Sequence, residues 1–364
     1  MFKRFSVVLA LVLFTSVVLV GCGGSKDSAP AGGTADSKKE YNLNVAAKPS
    51  PSATYTVAAS VAKMLNEKTK HLHGFVVTFP SDVVFPDKYA DKTIQLSINV
   101  LNTGTQSCFG TGAWEGRGSA DNRLISTGNK GQFSVVIARP EAGIKTMYDL
   151  KGKKVMGLIR GSVLSKDVWT AMEYGYGLNS SNFQLMEYTN VAEMTTALKE
   201  KRVDAINYPF FGTNAAWVEE LISMGDGVFV PHDPEVLDKI LEKFTHYNKL
   251  TIPAGTYRDQ KEDVVNYGSY FTLDVASFLP DDVVYDITSV LYNNFDEWAS
   301  YHDSIKAHAL PQSIEPSRLS YVVHPGAVKY YKEKGLWTEE HEKMQQKNIK
   351  RLEGLGPYKK ASAK

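Results

Sequence analysis

The sequence predicts an α/β fold built from parallel βαβ units. Two observations carry this. Short apolar runs of strand length, such as Phe75–Phe79 (FVVTF) and Val155–Ile159 (VMGLI), alternate with segments whose apolar residues recur at helical spacing, such as Val57, Val61, Met64 and Leu65. Alternation of this kind builds a parallel sheet with crossover helices. The chain has 364 residues and a formal net charge of +1, which suits a soluble protein of about two domains. So even a balance lacks the basic face of a nucleic-acid binder, and no nucleic-acid partner is expected.

The N-terminal residues stand apart. Met1–Phe2–Lys3–Arg4 is a basic head, and Val7 to Val20 is an apolar run too short to cross a membrane comfortably. Leu19–Val20–Gly21–Cys22 follows, so residues 1–21 read as a secretory signal peptide. Its ending resembles a bacterial lipoprotein box, in which cleavage precedes the cysteine and the thiol of Cys22 carries lipid. An ordinary signal peptide with a chance cysteine is the alternative. Residues 22–40 lack apolar bulk and read as the lipidated cysteine and a flexible tether, so the folded body is expected from Tyr41. Cys108 is the only cysteine left in that body, so neither an internal disulfide nor a cysteine-based metal site is expected.

Along the body, Tyr41–Ala47 reads as a strand and Lys48–Ser52 as a polar turn. Tyr55–Thr69 then reads as a helix. Phe75–Phe79, Ile94–Asn99, Phe133–Ala138, Val155–Ile159 and Val203–Asn207 are further strands. Leu164, Val168 and Met172 mark a helix, as do Met194 with Leu198, and Leu237, Ile240, Leu241 and Phe244. The last third reads as mostly helical, with Val283, Val284, Ile287, Val290 and Leu291 on one face and charged helical sequence after Pro325.

Ligands of such sheets sit where loops leave the carboxyl ends of the strands. Four loops have that placement: Lys48–Tyr55, Pro80–Asp82, Arg160–Ser165 and Tyr208–Asn214. Several feed helix starts rich in Ser, Thr and Asn, where free N–H groups and the helix dipole favour an anion. Gly161–Ser162 lacks the Gly-Lys-Ser/Thr ending of a nucleotide phosphate loop, and Lys166 comes four residues late. A small anion fits better than a nucleotide. Arg160 reads equally as a bidentate carboxylate partner and as a solvated surface arginine. Ser162 reads as a helix cap that also faces a ligand. Tyr208 is assigned to the cleft wall and Phe211 to the core.

Other features are weaker. His71–Leu72–His73 has no carboxylate beside it and reads as surface, so no metal is expected. His324, before Pro325–Gly326, reads as a cap or packing residue. Asp149–Lys154 reads as an exposed charged turn, and Asp281–Asp282 as a helix start. No Gly-x-Ser-x-Gly or His-Glu-x-x-His motif is present, so neither catalytic residues nor a cofactor are expected.

Several stretches resemble a family. Gly143–Ile144–Lys145–Thr146 with Asp149–Val155 is similar to the entry into the second lobe of bacterial solute-binding proteins. Thr251–Tyr257 (TIPAGTY), Leu279–Tyr285 (LPDDVVY) and Val323–Gly335 (VHPGAVKYYKEKG) resemble segments of the TAXI family, the binding subunits of TRAP transporters. The resemblance spans roughly Tyr41 to Trp337. It implies a two-lobed periplasmic-binding-protein fold (type II) with the ligand cleft between lobes, one of residues 41–138 plus 268–364 and one of residues 139–267. It also implies no catalysis. A small carboxylate or amino acid would be captured outside the cytoplasm by a membrane-anchored lipoprotein, on the periplasmic side of the inner membrane or at the surface of a single-membrane cell. The solute would then pass to TRAP membrane subunits.

Residue by residue, the family's first ligand loop corresponds to Ser52, Ala53, Thr54 and Tyr55, with the tyrosine retained. Its Gly-Gly-Ser loop corresponds to Phe79–Pro80–Ser81, where only the serine remains and Asp82 follows. The two missing glycines remove close backbone approach to a ligand, and Asp82 suits an amino group better than a carboxylate. Asn99, Asn102 and Thr103 fall at the cleft side of their strand. Gly161–Ser162 and the Tyr208–Gly212 region match in position. The resemblance thus assigns ligand contacts to Ser52, Thr54, Tyr55, Ser81, Asp82, Asn102, Arg160, Gly161, Ser162, Tyr208 and Gly212. A binding lipoprotein of an ATP-driven importer or a sensor kinase shares this fold. A lipid-anchored hydrolase is the third reading.

Overall fold

A computed structural model describes residues 38–50, 52–160, 162–211 and 215–360. The signal peptide, Cys22, Gly161 and Gly212 lie outside the described residues.

The first third of the body holds β1 (Tyr41–Ala47), α1 (Ala53–Lys68), β2 (Leu72–Thr78), α2 (Phe85–Ala90), β3 (Leu96–Val100), α3 (Leu101–Phe109) and β4 (Asn122–Ala138). Then come β5 (Lys154–Ile159), α4 (Val163–Tyr176), β6 (Gln184–Tyr188), α5 (Val191–Lys199), β7 (Ala205–Phe211), α6 (Ala216–Ser223) and β8 (Val228–Val230). The chain continues through α7 (Pro234–Lys243), β9 (Asn248–Ile252), β10 (Val264–Ala276), α8 (Asp281–Asn293), α9 (Phe295–Ser300), α10 (Pro325–Glu333) and α11 (Glu339–Leu352).

The strands run in the order β2-β1-β3-β10-β4-β7-β5-β6, with β8 on β4 and β9 on β10. At one end β1 pairs in parallel with β2 and β3; at the other β5 pairs in parallel with β6 and β7. Between them the long strands β4 and β10 run antiparallel to each other and to their outer neighbours β7 and β3. Two parallel βαβ segments joined by a crossing pair give the α/β, two-lobed fold.

Each segment buries its own helices. In α1, Val57, Ala58, Val61, Met64 and Leu65 form the buried stripe that packs on β1 and β2, as helical periodicity requires. α8 and α10 pack against each other, and α8 also packs on α1. At the other end α4 and α7 share one core with Val155, while α5 and α6 belong to another with Met156. Adjacent strand residues point to opposite faces, so this segment is covered on both sides.

Three sequence expectations change. Phe133–Ala138 is only the end of a 17-residue strand. The "mostly helical" last third contains β10, whose burial on both faces hides the period-2 alternation that marks a strand. Tyr208–Phe211, expected in a loop, extends β7. Pro209 sits in that extension because β7 pairs with β5 only at Ala205 and Ile206; beyond them it is an edge facing only β4. The helix starts match the sequence better: α8 opens with Asp281 and Asp282, and His324 caps α10, its Nδ1 accepting from Gly326 N–H at 3.1 Å. His71 meets a carboxylate from far along the chain, Asp286 on α8 at 2.8 Å.

Candidate functional site

A cavity of about 530 Å³ opens where the carboxyl ends of β1, β3 and β5 meet β7 and the crossing strands. Its lining comes from both parallel segments. Lys48, Ser52 and Thr54 enter from the β1–α1 connection, and Ser81 and Asp82 follow β2. Ile159, Arg160, Ser162 and Leu164 enter from the β5–α4 connection, and Tyr208 and Pro209 from β7. Val100, Gln132 and Phe271 lie on β3, β4 and β10.

Three helix N-termini meet at this cavity. Ser52 caps α1, its Oγ accepting from Tyr55 N–H at 3.2 Å. Ser162 caps α4 the same way, accepting from Ser165 N–H at 3.2 Å. Val100 precedes α3 and supplies no side-chain cap. None of the three helices has an acidic residue in its first turn, so the positive ends of their dipoles are not answered by their own side chains. The cap geometry is local sequence chemistry: a short hydroxyl side chain in extended backbone just before a helical run.

Charged groups sit among these ends. Asp82 is buried, accepts from Thr103 Oγ1 at 3.0 Å and stands 3.6 Å from Lys48 Nζ. Lys48 is half-exposed at the mouth. Arg160 lines the cavity from its rim: its side chain is 68% exposed, and its Nε lies 3.3 Å from Glu187 on β6. Tyr208 packs edge-on against Trp217 at 5.8 Å, and burial raises its phenol pKa, so it stays neutral and can donate a hydrogen bond.

Of the residues singled out from the sequence, Ser52, Thr54, Ser81, Asp82, Arg160, Ser162 and Tyr208 line this one cavity. Tyr55 and Asn102 do not line it. Tyr55 is half-buried on α1 next to Thr54, and Asn102 is fully buried as the second residue of α3. The sequence places Lys48 in the first loop without giving it a ligand contact, and it does not single out Val100, Gln132 and Phe271. Lys48 had a signal, since it is the first residue beyond β1. Gln132 and Phe271 had none without the crossing strands, which only long-range pairing defines.

The chain belongs to the NMT1-like family, whose model matches residues 46–335. Among solved structures it is similar to the periplasmic aliphatic sulphonate binding protein SsuA from Escherichia coli, at 15% identity and a TM-score of 0.41, covering 85% of this chain and 93% of that one. It is also similar to a TctC solute binding protein from Polaromonas, at 16% identity and a TM-score of 0.45, covering 73% of this chain and 87% of that one.

Proposed function

We propose that this protein is an extracytoplasmic solute-binding lipoprotein that captures a small organic acid or amino acid in the cleft and delivers it to the membrane subunits of a TRAP-type transporter. The observation that carries the reading is the meeting of three helix N-termini, none with an acidic residue in its own first turn, with Lys48 and Arg160 around one cavity. Oriented N–H groups and nearby cations stabilise an anion without forming or breaking a bond. In this reading the lobes are residues 41–138 plus 268–364 and residues 139–267, the cavity lies between them, and closure would surround the solute. Anchoring through Cys22 and the transporter partner rest on the sequence resemblance.

The buried Asp82 distinguishes an amino acid from a plain acid. It already neutralises Lys48, so a plain carboxylate must displace that pairing, whereas an ammonium group can join it. Thermal unfolding of the purified protein in a panel of organic acids, amino acids and nucleotides tests the proposal. A ligand at 100 times its Kd adds about 2.7 kcal/mol of stability. A shift with an acid or amino acid that weakens in Arg160→Ala is expected. A shift with nucleotides alone would overturn the reading.

A further inference from the structure

α3 has no solvent face: all nine of its residues are buried. Five carry polar side chains that therefore need partners inside the protein. Four have them. Thr103 donates to Asp82, Thr105 to the Leu101 carbonyl at 2.6 Å, Gln106 to Asp167 at 2.6 Å, and Ser107 to the Gly104 carbonyl at 3.3 Å. Asn102 is the exception. It is 0% exposed, and neither Oδ1 nor Nδ2 has a partner among the described residues. An amide left this way costs on the order of 1–3 kcal/mol for each unmade hydrogen bond, so its retention points to a group from outside the fold.

Asn102 does not line the cleft, but its backbone connects through Ser269 to a residue that does. Its backbone N–H donates to Ser269 Oγ at 3.3 Å. Ser269 on β10 is the register partner of Gln132 on β4, so the two side chains share a face. Gln132 lines the cavity. Its Nε2 donates to the Pro209 carbonyl at 3.3 Å, which fixes the amide's orientation, and its buried Oε1 has no partner among the described residues. At the junction of α3, β4 and β10, the protein thus presents two open acceptors and one open donor, all uncharged. The charged groups, Lys48, Asp82 and Arg160, belong to the β1, β2 and β5 exits.

We propose that Gln132, on the cleft wall, and Asn102, buried behind it next to Ser269, form a neutral hydrogen-bonding subsite, into which a hydroxyl or carboxamide group carried on the far end of an anionic solute inserts. This rests on the cleft being the solute site. A hydroxyl or carboxamide both donates and accepts, which matches the open atoms of Asn102 and Gln132. A plain aliphatic acid would leave them unpaired on binding. Sites built to hydrogen-bond a polar group discriminate strongly against analogues lacking it, because their own buried groups are then stranded.

The test is isothermal titration of the full chain with matched acids: butyrate against 4-hydroxybutyrate, succinate against malate, and glutarate against its monoamide. The donor-bearing member of at least one pair should bind about tenfold or more tightly. That preference should shrink to about twofold or less in Asn102→Ala and in Gln132→Met. The unliganded Asn102→Ala protein should melt no lower than the parent, since no hydrogen bond within the protein is lost. Binding of acids without preference in any pair overturns the subsite and leaves the cleft reading intact. A preference that survives both substitutions, or a large fall in melting temperature for unliganded Asn102→Ala, likewise assigns these amides a structural role. No binding by any acid overturns the cleft reading, and the subsite with it.

Discussion

At the scale of single residues, the caps of α1 and α4 serve the fold and the cleft together. Ser52 and Ser162 each satisfy one N–H of their helix, and both face the cavity. Replacing an N-cap hydroxyl by alanine costs about 1 kcal/mol. Ser162→Ala is therefore expected to lower the urea midpoint by that equivalent with an unchanged m-value. It should also weaken anion binding, because the exposed N–H groups recruit water where the ligand's oxygen would sit. His324 is a different kind of cap. Burial lowers its pKa to about 4, so at neutral pH its Nδ1 is an acceptor for Gly326 N–H. His324→Ala removes that acceptor from a closed interior. Unfolding should register a loss of about 1–3 kcal/mol, and a loss under 0.5 kcal/mol would show that the cap is not holding α10.

At the scale of elements, two close approaches depend on glycine. Gly326 lies where α10 crosses α8: a Cβ there would strike the Asp281 carbonyl and come within 2.9 Å of Tyr285 N, both of them backbone atoms. No side chain can turn aside, so Gly326→Ala must push the helices apart. The expected cost is about 1–3 kcal/mol, read as a lower thermal midpoint. Gly104 performs the same service inside α3. Its missing Cβ makes room for the Tyr321 ring, whose hydroxyl would otherwise lie 2.6 Å from it and is held in place by Asp274. Gly104→Ala should disturb both α3 and the cleft edge it supports, so ligand affinity and stability should fall together.

At the scale of the whole molecule, buried titratable groups give stability an unequal pH dependence. Burial lowers His232 to about 3 and His308 and His324 to about 4. Their unfolded forms take up protons near pH 6.5, so the stability they contribute is present above that pH and lost as the solution is acidified toward their folded values. Asp274 acts in the opposite sense. Burial raises it to about 6 despite hydrogen bonds from Tyr321 and Asn99. Its contribution is fully present below about pH 4 and lost as pH rises through 6. Acidification from pH 7 to pH 4 is thus expected to destabilise the protein, with Asp274 offsetting part of the loss. Asp274→Asn removes the offset. Relative to the parent, this variant should gain up to about 3 kcal/mol at pH 7, and the gain should vanish by pH 4. A difference independent of pH between the two proteins would contradict the assignment.

What could be read from the sequence was what neighbours along the chain decide. The α/β class, the helix starts at Ser162 and Asp281, the cap at His324 and the polar exits of β1, β2 and β5 all follow from spacing and local side-chain chemistry. Seven of the residues singled out by that reasoning line one cavity because strand exits of parallel segments lie together at the same edge of the sheet. What only the tertiary structure decided was long-range. β10 pairs with β3 on one side and β4 on the other and is buried along both faces, so its sequence shows no alternation to read. Pro209 is tolerated because the sheet gives it an open edge. Asp82 is recognisable as a buried, paired carboxylate only once Lys48 and Thr103 are beside it. The open amides of Asn102 and Gln132, residues 30 positions apart by number, acquire meaning only where α3 meets the crossing strands. Local chemistry writes helix ends and strand periods into the chain, whereas burial and unpaired polar atoms are properties of contacts between segments distant in sequence.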